Sequence, residues 1–172
     1  GVPFVPLGPS PVGLDAASPL ITLLIGGTHD PNLPLGKTYI LDEVEIFNRA
    51  LGEPEIQAIY EADSAGKCRP CTPPPLGMVA WWTLDEPAGP TAIDSAGNND
   101  GSHVNGFTPT PGKVDGGLAF SGPSGTGGGS YVSVPPSSSL DPDTGAFSID
   151  LWARDTTGSP STVTGGLVER LV

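Results

Sequence analysis

Glycine and proline break this chain so often that long regular elements have little room to form. Its 172 residues include 25 glycines and 21 prolines, about a quarter of the total and near the level at which disorder competes with folding. The apolar residues, 37% of the chain, are nevertheless gathered into short runs between the breakers. Runs of that length separated by turn residues favour many short strands. An aromatic content of only 6% limits the size of each packing unit.

Charge narrows the partners. A net charge of −12 repels nucleic acid and anionic membrane surfaces, so neither is an expected partner. Acidity also supplies oxygen ligands for a hard cation such as Ca²⁺, although an acidic surface equally serves to keep a secreted protein soluble. No stretch approaches the ~18–20 apolar residues that cross a bilayer, so membrane insertion is not expected. Opening on Gly1, with its only methionine at Met78, the chain is expected to be an internal piece of a longer protein that is secreted or displayed at the cell surface.

Residues 63–77 divide the sequence into parts 1–62 and 78–172. Ala62-Asp63-Ser64-Ala65-Gly66-Lys67 leads into Cys68-Arg69-Pro70-Cys71 and Thr72-Pro73-Pro74-Pro75, which is turn and polyproline chemistry suited to a linker. Cys68 and Cys71 admit three readings. A zinc site needs four ligands, and His29 and His103 lie at no recognisable spacing. A redox C-x-x-C belongs at the start of a helix, and prolines follow here. A disulfide stapling the linker in an oxidising compartment is the preferred reading.

Before the linker, Leu20–Ile25 is a strand candidate, and Lys37–Asn48 is a firmer one. In the latter, Val44 and Ile46 fall on one face, with Glu43, Glu45 and Phe47 on the other. Glu53–Glu61 is the one helix: Pro54 sits in its first turn, and Ile56, Ile59 and Tyr60 form an apolar face. After the linker, strands are expected at Gly77–Leu84, Gly116–Phe120, Tyr131–Val134 and Phe147–Trp152, where Phe147, Ile149 and Leu151 share a face. Asp85–Gly106 reads as a polar loop, and Gly122–Ser130 as a glycine-rich one. The expected fold is an all-β antiparallel sandwich with one short helix.

Two blocks carry a more specific signal. Tyr39-Ile40-Leu41-Asp42-Glu43-Val44-Glu45-Ile46-Phe47-Asn48-Arg49-Ala50-Leu51, then Pro54-Glu55-Ile56, resembles the closing strand and helix of laminin-G-like domains, which have the concanavalin A-like jelly-roll fold. Met78–Glu86, Asp94-Ser95-Ala96-Gly97-Asn98, Gly112-Lys113-Val114, Leu118-Ala119-Phe120, Tyr131–Val134 and Phe147–Trp152 resemble that family's opening strands in order. The closing block comes first. The resemblance therefore implies the C-terminal part of one module (1–62) followed by the N-terminal part of the next (78–172), within tandem repeats, or the two packed together as one permuted sandwich. The family's middle strands are missing, and an incomplete sandwich exposes strand edges and part of its core.

The best site candidate is the loop Asp94–Asp100, where Asp94, Asn98, Asn99 and Asp100 offer oxygens on a backbone eased by Gly97 and Gly101. The resemblance implies a structural Ca²⁺ near this loop, with Asp42 and Glu43 contributing from the closing strand. The spacing is not that of an EF-hand, because Ala96 stands at its third position. A plain reading is a loop whose Asp and Asn side chains bond their own backbone. Trp81, Trp82 and Trp152 can each stack on a sugar ring, but neighbours in a strand point to opposite faces, so one of Trp81 and Trp82 belongs to the core.

Gly36-Lys37-Thr38 lacks the first glycine of a phosphate loop, and Gly122-Pro123-Ser124-Gly125-Thr126 lacks the last glycine of a nucleophile elbow. Glycoside hydrolysis needs two carboxyls at set separations. Glu43 and Glu45 sit at i, i+2 on one strand face, with no third acidic residue in the pattern such enzymes use. The expected function is thus non-catalytic: a binding or adhesion module for carbohydrate or an extracellular protein ligand, or else a structural spacer.

Overall fold

Short apolar runs become short strands. The computed structural model describes residues 22–27, 38–65, 75–121, 129–142, 145–156 and 167–170. Strands β1 (Leu23–Ile25) and β2 (Thr38–Phe47) precede the helix α1 (Glu53–Ala62). There follow β3 (Met78–Trp82), β4 (Thr91–Ala92), β5 (Gly101–Val104), β6 (Thr108–Pro111), β7 (Gly116–Ser121), β8 (Tyr131–Val134), β9 (Ser148–Asp155) and β10 (Val168–Arg170). Of the expected strand Leu20–Ile25, the first two residues lie outside the described ones. So do Gly36, Lys37, Cys68, Cys71 and Gly122–Thr126.

The strands form two antiparallel sheets. One runs β10-β1-β8-β5-β4. The other is organised around β2, which is long enough to serve three partners. β9 pairs with it along its whole length, while β7 (to Thr38–Leu41) and β3 (to Val44–Phe47) share its opposite edge. β6 lies outside β7. Both sheets therefore combine strands from either side of residues 63–77.

Facing side chains of the two sheets fill the core. Leu23, Ile25, Ala92, Val132 and Val134 come from the first sheet, and Tyr39, Leu41, Val44, Ile46, Ala80, Trp82, Leu118 and Phe120 from the second. The inward residues of β2 shift from odd to even numbers between Leu41 and Val44. Glu43 has φ 54° and the pairing with β9 slips between Asp42 and Glu45, so a bulge changes the phase of the strand. Trp82 points inward and is fully buried, and its indole N–H donates to Asn99 O at 3.0 Å.

Several expectations need correction. Asp85–Gly106 is not all loop: it contains β4 and β5, and β5 pairs with β8. Gly101-Ser102-His103-Val104 has no apolar alternation to mark it, and its key residue is Gly101. A Cβ there would stand 2.3 Å from Val132 Cγ1, so only glycine lets the strand approach β8. β6 escaped notice because Pro109 and Pro111 interrupt it, which a sheet tolerates at its edge. Of the residues expected to share a face around β9, Phe147, just before it, and Ile149 are 45% and 40% exposed, whereas Leu151 packs against the core. Ile149 does sit opposite Ile46, yet the facing sheet does not extend over it.

The helix is also less buried than its pattern suggests: Ile59 is covered, whereas Ile56 and Tyr60 are exposed. Short helices depend on tertiary ties, and here Arg49 provides one. Its guanidinium grips Glu55 through both carboxylate oxygens, at 2.8 and 2.5 Å, and donates to Leu76 O at 2.7 Å. Glu55 reaches back to the Gly52 N–H at 2.9 Å, satisfying one exposed donor of the first turn. The bond from Arg49, aided by that N–H, holds the Glu55 carboxyl down at about 2. Leu51 N–H donates to Ser148 Oγ and the Tyr60 ring lies 6.0 Å from that of Trp152, so α1 rests over β9.

Gly101→Ala tests the close approach of β5 and β8. It is expected to lower stability by about 1–3 kcal/mol in urea unfolding, the usual cost of overpacking a core. An unchanged midpoint would refute the tight packing described.

Candidate functional site

Where β7 ends along β2 and β3 begins, the bulge leaves a gap in the pairing, and Asp42 fills it. Its Oδ2 accepts the N–H groups of Lys113 (2.5 Å) and Val114 (2.8 Å) in the turn between β6 and β7. Asp85, three residues beyond β3, braces the same turn, its Oδ1 accepting from Gly116 N at 2.7 Å. Asp42 is 2% exposed, and its Oδ1 has no hydrogen-bond partner among the described residues. Burial, opposed by the two backbone bonds and reinforced by the Asp85 charge, pushes its pKa up to about 6.

Beside Asp42, on the sheet face away from the core, lies a small open cleft of about 150 Å³. Its walls are Ile40 and Asp42 of β2, Pro111-Gly112-Lys113 of the turn, and Trp152-Ala153-Arg154 of β9. Trp152 stands directly opposite Asp42 in the β2–β9 register, which places both on this face. The Lys113 ammonium lies 5.1 Å from the Trp152 ring centroid and forms an ion pair with Asp63 beyond α1. Trp152 thus contacts both Tyr60 and Lys113 and lines the cleft. Arg154 is exposed and makes no ion pair among the described residues.

The loop that looked most like a metal site is built differently. Asp94 Oδ1 accepts N–H bonds from Trp81 (2.9 Å), Ala96 (3.0 Å) and Gly97 (3.0 Å). Its Oδ2 accepts both the backbone and side-chain N–H of Asn99, each at 2.9 Å. Burial alone would raise the Asp94 pKa, but the bonds from Trp81, Asn99, Gly97 and Ala96 outweigh it and hold the carboxyl below its ordinary value. Asp100 Oδ1 accepts the Asp94 N–H at 2.8 Å, and Asn98 is exposed. Asn99, noted in the sequence only as one more oxygen, is the residue that ties this loop to the core: it also holds Val79 O, Ser139 Oγ and the Trp82 indole.

The five residues expected to hold Ca²⁺ are therefore not brought together as an oxygen cage. Asp94 is saturated with donors, Asp100 braces its backbone, and Asp42 holds a different turn. Glu43 accepts the Trp81 indole N–H at 2.9 Å. Among the described residues no group of three or more His, Cys, Asp or Glu stands within reach of one ion. A cation at Asp94 would have to displace N–H donors aimed at both of its oxygens.

The carboxyl pair weighed for catalysis is altered too. The bulge breaks the i, i+2 alternation assumed for Glu43 and Glu45, both are buried, and neither lines the cleft. His103 packs its ring on Phe107 at 4.1 Å, and burial lowers its pKa. Among the described residues no helix is long and apolar enough to cross a membrane. Compared with known proteins, the chain matches no family model, no curated protein and no solved structure.

Two carboxyls with opposite pKa shifts give opposite pH signatures. Asp42 has a raised folded-state value, so its neutral form favours folding; that stability is full below the ordinary pKa of 3.8 and is lost as pH rises through about 6. Asp42→Asn is thus expected to stabilise the fold at pH 7 by about 1–3 kcal/mol and to have little effect at pH 4, measured by thermal unfolding at both values. Asp94 is the reverse case: its stabilisation is present above the ordinary pKa and lost in acid. Asp94→Ala should cost about 2–4 kcal/mol at pH 7, since it strips several N–H groups of their acceptor, and less as the solution is acidified.

Proposed function

We propose that the chain is a non-catalytic binding module of the laminin-G-like, jelly-roll kind, its two parts forming one permuted sandwich that takes a saccharide in the cleft beside Asp42. The observation that carries this reading is the make-up of the cleft. An indole, an exposed guanidinium and a buried carboxyl line one open hollow, the mix of apolar surface and a few polar groups that fixes a small ligand. The order of the sheets supports the permuted reading, since β2 of the closing block pairs with β3 of the opening block. Among the described residues no group of three or more acidic, His or Cys side chains gathers on one ion, and the saccharide reading does not call for Ca²⁺. An extracellular setting follows from the proposal and from the acidic surface.

Arg154 gives the cleanest test, because it lines the cleft and is exposed. On a glycan array the chain should capture at least one saccharide, and Arg154→Ala should weaken that capture about 10- to 100-fold, the range for losing a charged hydrogen bond, without moving the thermal midpoint. EDTA should leave binding unchanged. Capture of no glycan at all would sink the binding role and leave a spacer. Release of reducing sugar from any polysaccharide would show an enzyme instead.

A further inference from the structure

The cleft has one fixed wall and one movable arm. Asp42 Oδ2 takes the N–H groups of Lys113 and Val114, and Asp85 Oδ1 takes that of Gly116. The backbone of the turn between β6 and β7 is therefore held on both sides. It is also closely packed, since a Cβ on Gly112 would collide with Gly116 O and press on the Asp42 carboxyl. The Lys113 side chain is different. It is 37% exposed and has a flexible aliphatic stem. From its fixed base it carries its ammonium over the Trp152 ring, 5.1 Å from the centroid, to pair with Asp63. Asp63 directly follows α1, where its own N–H donates to Tyr60 O, and the Tyr60 ring in turn lies against Trp152. Lys113 is thus tied at both ends, its amide to Asp42 and its ammonium to Asp63, with the indole beneath.

That placement bears on what the cleft can hold. An indole lining a hollow offers a flat apolar surface on which a sugar ring stacks, and a cation over the ring occupies the space such a sugar needs. The tie is also weak enough to undo. Both partners are more than a third exposed, at 37% and 63%, and ion pairs and cation–π contacts in such positions contribute little and yield to salt. We propose that Asp63 holds Lys113 as a latch over Trp152, so that the cleft takes a stacking ligand only when the ammonium is drawn off the indole. The nature of the ligand rests on the saccharide reading of the cleft; the latch rests on the three side chains themselves.

Two measurements separate the latch from the ligand. Fluorescence quenching by acrylamide, a neutral probe, reads access to the indoles, and Trp82 is fully buried, so Trp81 and Trp152 carry the response. Asp63→Asn and Lys113→Met should each raise the quenching constant about 1.5- to 3-fold. Salt at about 0.5 M should do the same for the unaltered chain but not for Asp63→Asn. Neither effect should survive in Trp152→Phe, with thermal midpoints confirming that each variant is folded. On the glycan array both substitutions should strengthen capture about two- to tenfold, the range for losing an exposed ion pair together with its cation–π contact. Weaker capture by Lys113→Met would make the lysine a ligand contact and overturn the latch. Quenching that neither variant nor salt changes would overturn it as well, as would capture that both substitutions leave unaltered. If quenching moves as stated while no glycan is captured, the latch stands and the saccharide reading falls.

Discussion

One strand asked to pair with three others sets the terms for the rest of this fold. β2 is ten residues long, and no single strand covers the edge that β7 and β3 divide between them. The handover between those two would leave backbone donors of the adjoining turn without acceptors in a region closed to water, a costly arrangement. The bulge at Asp42 and Glu43 resolves it. It turns Asp42 toward the turn as a surrogate for the missing strand, and it changes the phase so that Tyr39, Leu41, Val44 and Ile46 all reach the core. The cleft exists because of this: it is the hollow left beside the handover, walled by the turn that Asp42 holds.

The molecule uses two aspartates as fastenings in opposite electrostatic regimes. Asp94 gathers five N–H bonds and is comfortable as an anion. Asp42 gathers two, has one oxygen without a partner among the described residues, and is comfortable neutral. The number of donors aimed at each carboxyl decides the difference. In the sequence the two looked alike, as acidic residues in blocks resembling a calcium-binding family. Residue type could be read there; how many backbone amides converge on an oxygen could not, because that depends on where distant turns come to rest.

The same division runs through the fold. Segments whose apolar residues alternate without a break, such as Tyr131–Val134 and Val44–Phe47, were legible as strands, and Pro54 with the acidic first turn marked α1. The segments that escaped detection are held by partners, not by their own pattern: Gly101–Val104 by the close approach to β8, and Thr108–Pro111 by its place outside β7. The exposure of Phe147, Ile149, Ile56 and Tyr60 is not readable from the sequence for a related reason. Periodicity states which residues share a face, but the extent of the opposing layer decides whether that face is covered.

The partners of β2 also dictate how the chain must come together in time. All three, β3, β7 and β9, follow it in the sequence, and the last of them ends at Asp155. β1 likewise waits for β8 and β10. During synthesis β1, β2 and α1 are therefore made well before the strands that β1 and β2 pair with. Such distant pairings are slow to close, and a nascent chain holding a long apolar strand unsatisfied for that interval is exposed to wrong partners. The charges of Asp42, Glu43 and Glu45, interleaved with those apolar residues, then have a part to play before the native state exists, as breaks in an otherwise adhesive stretch.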